Sequence, residues 1–318
     1  MEHKFLAGSS PHLTGNKSTS GIMRDVTIAL MPGAAASIYF FGIKALLVIL
    51  VTVLSCLISE YASNRIMKKP LSVNDYSAAV TGLLLAFNLP PSIPLWVAAI
   101  GGVFAIVIVK QLFGGLGHNF INPALAARAF LMASWPVAMT TWTNPGADAV
   151  SSATPLAFIK KGTEAIGVQP SFMDLFTGNI GGCIGETSAI VLLIGAAYLV
   201  FKKVITLEIP LAFIGTLGVM VWILGGDGIF SGDFIYHIFA GGLILGAFFM
   251  ATDYTTSPAT FKGRIIMGMG CGLLTAIIRL YGGYPEGVSY SILLMNLAVP
   301  LIDRYTIPVS FGGEKANA

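Results

Sequence analysis

The stretch YFFGIKALLVILVTVLSCLIS, residues 39–59, carries a single charge, Lys44, and decides the class of fold. As a helix it is long and apolar enough to cross about 30 Å of hydrocarbon. The rest of the chain has the same character. Asp, Glu, Lys and Arg make up 10% of the 318 residues, 55% are hydrophobic and the mean hydropathy is +0.80. Soluble proteins carry about 25% charged residues. No water-facing fold of this size hides that much apolar surface, so the sequence reads as an all-α polytopic membrane protein.

Other classes drop out on composition. Lys and Arg number 18 against 15 Asp and Glu, a net +3 with no basic stripe, so no nucleic-acid partner is expected. Cys56, Cys183 and Cys271 are far apart and form no CxxC pair, which excludes an iron–sulfur cluster or zinc site held by this chain alone. His3, His12, His118 and His237 include no pair spaced to ligate a metal on one helix, leaving only a haem held between facing helices as a weaker metal reading. The polar N-terminus lacks an apolar h-region, so no cleavable signal peptide is expected.

Outward from residues 39–59, five further apolar spans cover 94–110, 188–201, 205–224, 234–252 and 264–281. Four segments are shorter or interrupted by Pro and Gly: 26–38, 78–90, 121–135 and 287–302. Together they predict about ten transmembrane helices. With the N-terminus inside, Arg65, Lys68, Lys69, Lys202, Lys203, Lys262 and Arg264 fall on the cytoplasmic side, as the positive-inside rule requires, and the tail adds Arg304 and Lys315. The segment 136–187 is then an extracytoplasmic loop, with Lys160 and Lys161 as its tolerated cations. The domain plan is a cytoplasmic tail 1–25, a first membrane repeat 26–135, that loop, a second repeat 188–304 and a cytoplasmic tail 305–318.

A repeat supports the two halves. TGLLLAFNLPP, LFGGLG and INPALAARAF are echoed by GAFFMATDYTTSP, LYGGYPEG and SYSILLMNLAVPLID, with Leu112, Gly114 and Gly115 recurring about 168 positions later as Leu280, Gly282 and Gly283. Five helices per half make the halves inverted, so their broken segments meet near the midplane, where ligands and ions bind. Close helix packing is the competing reason for the glycines.

The loop carries DAVSSATPLAFIKKG, residues 148–162. Thr154 followed by Pro155 and an apolar run is the pattern of an N-cap, a first-turn proline and a short helix. A phosphate at Thr154 would meet free backbone N–H groups there, and Ser151, Ser152 and Ala153 leave the hydroxyl accessible. A capped loop helix with no ligand gives the same pattern.

KQLFGGLGHNFINPALAARAFLMASWP, DAVSSATPLA, FMATDYTTSP and YGGYPEGVSYSILLMN together, in this order, resemble the RnfD/NqrB family of membrane flavoproteins, subunits of Rnf and sodium-pumping NADH:quinone reductase complexes. The resemblance covers nearly the whole chain. It implies FMN held as a phosphoester on Thr154, in a loop that includes Asp148, Ser151, Ser152 and Ala153, and a non-covalent riboflavin that no local motif locates. Ser152 stands where the family's acceptor motif usually has Gly. The resemblance also implies partners: a subunit with a second covalent FMN, membrane subunits with an iron–sulfur centre, and soluble subunits handling ferredoxin and NAD. The short segment before the first span fits the Rnf branch better than the longer NqrB-type chains. The implied function is a translocase subunit in the bacterial cytoplasmic membrane, relaying electrons coupled to Na⁺ or H⁺ movement. The rival class is a small-solute channel or transporter, since inverted repeats with broken helices also build those.

Lys44, Arg128, Glu208, Asp253 and Arg279 lie in or at the ends of apolar segments, where an unpaired charge is expensive. Arg128 is a candidate to face the flavin phosphate. A structural ion pair or a snorkelling end charge explains Arg128 equally well, and Lys44 and Glu208 better. Asp253, with Tyr254, Thr255 and Thr256 at a helix break, offers hard oxygen donors for a Na⁺ path.

Overall fold

A computed structural model describes residues 18–143, 145, 154–161, 170–186, 188–226, 228–283 and 286–308. Among these the chain is all-helical, with thirteen α-helices and no strand. In chain order they are α1 (Thr19–Ile66), α2 (Ser77–Phe87), α3 (Leu95–Val103), α4 (Pro123–Ser134), α5 (Pro136–Thr140), α6 (Pro155–Lys161) and α7 (Phe172–Thr177). The second half has α8 (Ala189–Phe201), α9 (Glu208–Leu224), α10 (Phe234–Phe239), α11 (Leu243–Leu245), α12 (Phe261–Tyr281) and α13 (Val288–Thr306). Two of them continue as π-helix, α3 through Phe104–Gln111 and α11 through Gly246–Met250. Such widened turns cluster at functional sites.

The helix α1 is two helical limbs in one. A straight helix of its 48 residues would reach roughly 72 Å at about 1.5 Å per residue. Instead Ser20, near its start, donates to the carbonyl of Asn74, beyond its end, so the chain doubles back. The reversal falls at Gly42, with φ 65° and ψ −147°, a backbone region open essentially only to glycine. Pro32 lies inside the first limb without ending it. The predicted spans 26–38 and 39–59 are thus these limbs, and the first begins at Thr19 rather than near position 26.

The limbs pack against different halves of the chain. On the first limb Gly195 of α8 sits so close to the Ala29 carbonyl that a Cβ would lie 2.2 Å from its oxygen. On the second limb Gly82 of α2 abuts Val53 and Thr52, and Gly102 of α3 abuts Ser55 and Cys56. Small residues at helix crossings are how membrane helices approach without a hydrophobic driving force. Phe87, fully buried at the end of α2, wedges between Gly33 and Gly185 and joins the limbs to the segment before α8.

Two predictions about helix continuity reverse. The span 234–252, read as unbroken, splits between α10 and α11 at Ala240–Gly242, where Gly241 has φ 71° and packs beside Leu156 and Arg279. Segment 287–302, read as broken, is the continuous 19-residue α13 with Pro300 inside. Hydropathy alone does not distinguish a glycine that packs from one that turns. Among the described residues, only α1 and α12 are long and apolar enough as single helices to cross a membrane. Five further apolar helices, Ser77–Phe87, Leu95–Gln111, Pro123–Ser134, Ala189–Phe201 and Glu208–Leu224, run 10–17 residues.

Candidate functional site

The loop helix α6 begins where the Thr154–Pro155 pattern predicts. The Thr154 carbonyl accepts from the amides of Ala157 (2.9 Å) and Phe158 (3.4 Å). Leu156 anchors the helix in a small apolar cluster with Leu175, Ile180, Tyr236 and Ala240. Thr154 itself is 4% exposed, and its Oγ1 is buried with no hydrogen-bond partner. A buried hydroxyl left unpaired costs about 1–3 kcal/mol, so the orphan calls for an explanation. Asp148, Ser151, Ser152 and Ala153 lie outside the described residues.

Beside α6 opens a cavity of about 560 Å³. Leu156, Ile159 and Lys160 form one wall, and His237 of α10 and Arg279 of α12 form another. Arg279, 3% exposed, donates through Nη1 and Nη2 to the carbonyls of His237 and Ala240, which the α10–α11 break leaves free. Its Nε and the Nδ1 of His237 have no partner. Lys160 donates to the Gly282 carbonyl.

Arg128 lies elsewhere, in the core between the halves. Its guanidinium pairs with Glu286 and donates to Ser289 Oγ (2.6 Å) and Asn88 Oδ1 (3.3 Å), with Cys183 Sγ 3.6 Å away. Glu186 and Glu286 each keep one buried oxygen unpartnered. The adjoining breaks are stitched together. The Cys183 thiol donates to the Asn88 carbonyl, the Ile184 amide to the Leu89 carbonyl, and Asn122, which caps α4, to the Met250 carbonyl. Asn296, with its amide oriented to satisfy its surroundings, donates to the Ile292 and Thr256 carbonyls and accepts from the Asn122 amide. The breaks at 88–91 and 251–258 therefore share one polar core.

Asp253 borders that core. Its carboxylate accepts from Thr255 Oγ1 (3.0 Å) and Thr256 Oγ1 (3.2 Å), while Asn119 donates to Thr255 Oγ1. A cavity of about 70 Å³ touches Asp253, Thr255, Asn119, Asn122 and Lys110. Glu208 faces Arg264 at 3.9 Å, a helix-end pair as expected.

The sequence profile of the NQR2, RnfD, RnfE family matches residues 6–312. The chain belongs to this family. It is 53% identical over 317 residues to the D subunit of the Na(+)-translocating ferredoxin:NAD(+) oxidoreductase complex of Acetobacterium woodii, covering 99% of this chain and 97% of that protein. It is 50% identical over 321 residues to the D subunit of the proton-translocating ferredoxin:NAD(+) oxidoreductase complex of Clostridium ljungdahlii, covering 98% and 97%. The D subunit of the ion-translocating oxidoreductase complex of Citrobacter koseri is 37% identical over 348 residues, covering 97% and 99%.

Sequence reasoning missed a second buried ion pair. Glu60, fully buried on α1, accepts from Lys110 Nζ (2.7 Å), Gln111 Nε2 (3.1 Å) and Ser72 Oγ (3.0 Å). Both charges sit at the edges of apolar spans, where they read as end markers. It missed Glu186 and Glu286 as well, which fall in loops by hydropathy and in the core by structure. No local signal betrays that.

Proposed function

We propose that this chain is the D subunit of a bacterial ion-translocating ferredoxin:NAD⁺ oxidoreductase complex, carrying FMN esterified through its phosphate to Thr154. Near-full-length likeness to D subunits of such complexes supports the subunit assignment. The observation that carries the flavin site is the buried, unpartnered Thr154 Oγ1 on a helix that walls a cofactor-sized cavity; about 300–1,000 Å³ is ordinary for such pockets. The residues fit the group. FMN supplies electron transfer when bound, and the protein supplies attachment, orientation and electrostatics. Thr154 is the tether. Leu156, packed on Tyr236 and Ala240, holds the tether's helix against the membrane core.

The architecture we infer is about ten spans in two inverted five-helix halves, 26–135 and 188–304, with cytoplasmic tails and the segment 136–187 outside the cytoplasmic membrane. At an offset of about 168 positions, Asn88 corresponds to Thr256 and Arg128 to Asn296. Arg128 bonds Asn88 of its own half and Ser289 of the other; Asn296 bonds Thr256 of its own half and Asn122 of the other. The within-half contacts match at this offset and the cross-half contacts fall one position from it, which supports a pseudo-twofold relation.

We assign the ion path to the core cavity beside Asp253, Thr255 and Asn119, since carboxylate and hydroxyl oxygens suit a hard cation and about 70 Å³ accommodates it with a few waters. Riboflavin, implied by the resemblance, is bulkier than that cavity, and we do not place it there. Partners are the other subunits of the complex and membrane lipid.

The flavin assignment is tested on the assembled complex by Thr154→Ala. In-gel flavin fluorescence of this subunit should vanish while the chain remains inserted, and Thr154→Ser should keep partial labelling. Fluorescence retained in the alanine variant, or a flavin peptide lacking Thr154, refutes the attachment site.

A further inference from the structure

The cavity beside α6 is lined by two cationic side chains, Lys160 and Arg279, by the buried imidazole of His237, and by no carboxylate among its described residues. Basic groups around a cavity with one polar side raise the potential inside it, because low-dielectric walls weaken screening. Arg279 is the strongest of them. It is only 3% exposed, its two terminal nitrogens are taken by backbone carbonyls, and Nε, like His237 Nδ1, remains without a partner. The other buried arginine of the core, Arg128, is neutralised by Glu286 in direct contact. Among the described residues Arg279 touches no carboxylate within ion-pair distance, although Glu286 and Glu186 are near enough to act on it electrostatically without contact. A buried guanidinium without a contacting anion is costly unless something anionic completes its surroundings.

Its place relative to α6 says what completes it. A Cβ on Gly241 would lie 2.8 Å from Leu156 Cδ1 and 3.5 Å from Arg279 Nη2, so the guanidinium touches the same spot as the side chain two residues after Thr154. The flavin phosphate is fixed at Thr154 Oγ1. The isoalloxazine ring, a ribityl chain away, must occupy other space, and the room opens where Leu156 and Ile159 border the cavity. We infer that the ring of the Thr154-bound flavin sits in this cavity and that Arg279, a positioning residue, sets its reduction potential by favouring the negative charge the ring gains with electrons. This deepens the flavin assignment above and rests on it. Lys160, at the exposed rim and bonded to Gly282, adds to the same field with a weaker effect.

The test uses the assembled complex and two readouts other than turnover: flavin mass on the intact subunit and the midpoint potential of the Thr154 flavin, isolated as the signal absent from Thr154→Ala. Arg279→Gln should keep the flavin and weaken the preference for the reduced ring at least tenfold, a shift of about 30 mV to more negative potential for a two-electron couple. Arg279→Lys retains the charge and should recover most of that shift. Lys160→Gln should shift the potential in the same direction by less. If Arg279→Gln fails to assemble or to take up flavin, Arg279→Lys against Lys160→Gln decides, because only the second changes charge. A flavinated Arg279→Gln complex with the parent potential overturns the inference, as does an unchanged potential in Lys160→Gln when Arg279→Gln is lost. Flavin retained in Thr154→Ala would instead sink the attachment site itself, so the two failures are told apart.

Discussion

The Glu60–Lys110 pair gives the sharpest energetic test of the fold. Its members are 0% and 2% exposed and 2.7 Å apart, on α1 and on the π-helical end of α3. Removing one member of such a pair costs about 3–5 kcal/mol, because the other charge stays buried and uncompensated, whereas replacing both with apolar or neutral groups is often near neutral. The hydrogen bonds rank the two single variants. In Lys110→Met, Glu60 keeps donors from Gln111 and Ser72, so its cost falls near the lower end, about 3 kcal/mol. In Glu60→Leu, Lys110 keeps only Ser77 Oγ, and the cost moves toward about 5 kcal/mol. The double variant Glu60→Leu/Lys110→Met should recover at least half of the larger loss. Reversible unfolding of the purified subunit in mixed detergent micelles, followed by helix content, measures all four proteins of the cycle. Equal costs for the two single variants would refute the ranking, and a double variant whose losses simply add would refute the pairing.

Gly42→Ala should destabilise the α1 hairpin by about 1–3 kcal/mol from backbone strain alone, since no atom lies within 4 Å of the added Cβ. Gly215→Ala in α9, equally open, should be neutral or stabilising in the same unfolding assay, and a matching cost would refute the turn. Cysteines placed at Met173 and Lys68 test sidedness. An impermeant maleimide added outside intact cells should label the first and not the second, and the native thiols are buried; the reverse pattern would put the flavin loop inside. Asp253→Asn should impair ion-coupled ferredoxin:NAD⁺ oxidoreduction by the assembled complex while leaving the Thr154 flavin in place. Unchanged ion transport and electron transfer would make Asp253 a structural cap of its own turn.

What could be read from the sequence were features written in short stretches. The Thr154–Pro155 start of α6 is local chemistry, and the chain breaks near Asn88–Pro91 and Asp253–Pro258 are written in Pro, Asn and Asp. What escaped depended on three dimensions. Nothing near Gly42 distinguishes a reversal from a packing glycine, and nothing near Gly241 announces that Leu156 and Arg279 converge on it. Arg128 and Arg279 look alike as lone arginines in apolar helices. Their difference is Glu286, delivered to Arg128 by a loop far along the chain. Glu60 and Lys110 sit at the C-terminal ends of separate spans, and only the packing of α1 on α3 makes them partners.

The pseudo-twofold relation gives that difference a consequence. At the offset that relates Arg128 to Asn296, Gln111 corresponds to Arg279. Gln111 donates to Glu60, which also holds Lys110, so this end of the first half is closed by a carboxylate with a satisfied cation. Its counterpart in the second half has the charge on the arginine itself, with backbone carbonyls in place of the carboxylate, and a cavity of about 560 Å³ where the first half borders one of about 70 Å³. Positions 111 and 279 thus end one cluster in a carboxylate-held cation and the other in a guanidinium bonded to backbone. A guanidinium with no carboxylate in contact keeps positive charge at the cavity wall, and under the proposed function the Thr154 hydroxyl on the neighbouring helix ties the anionic cofactor beside it.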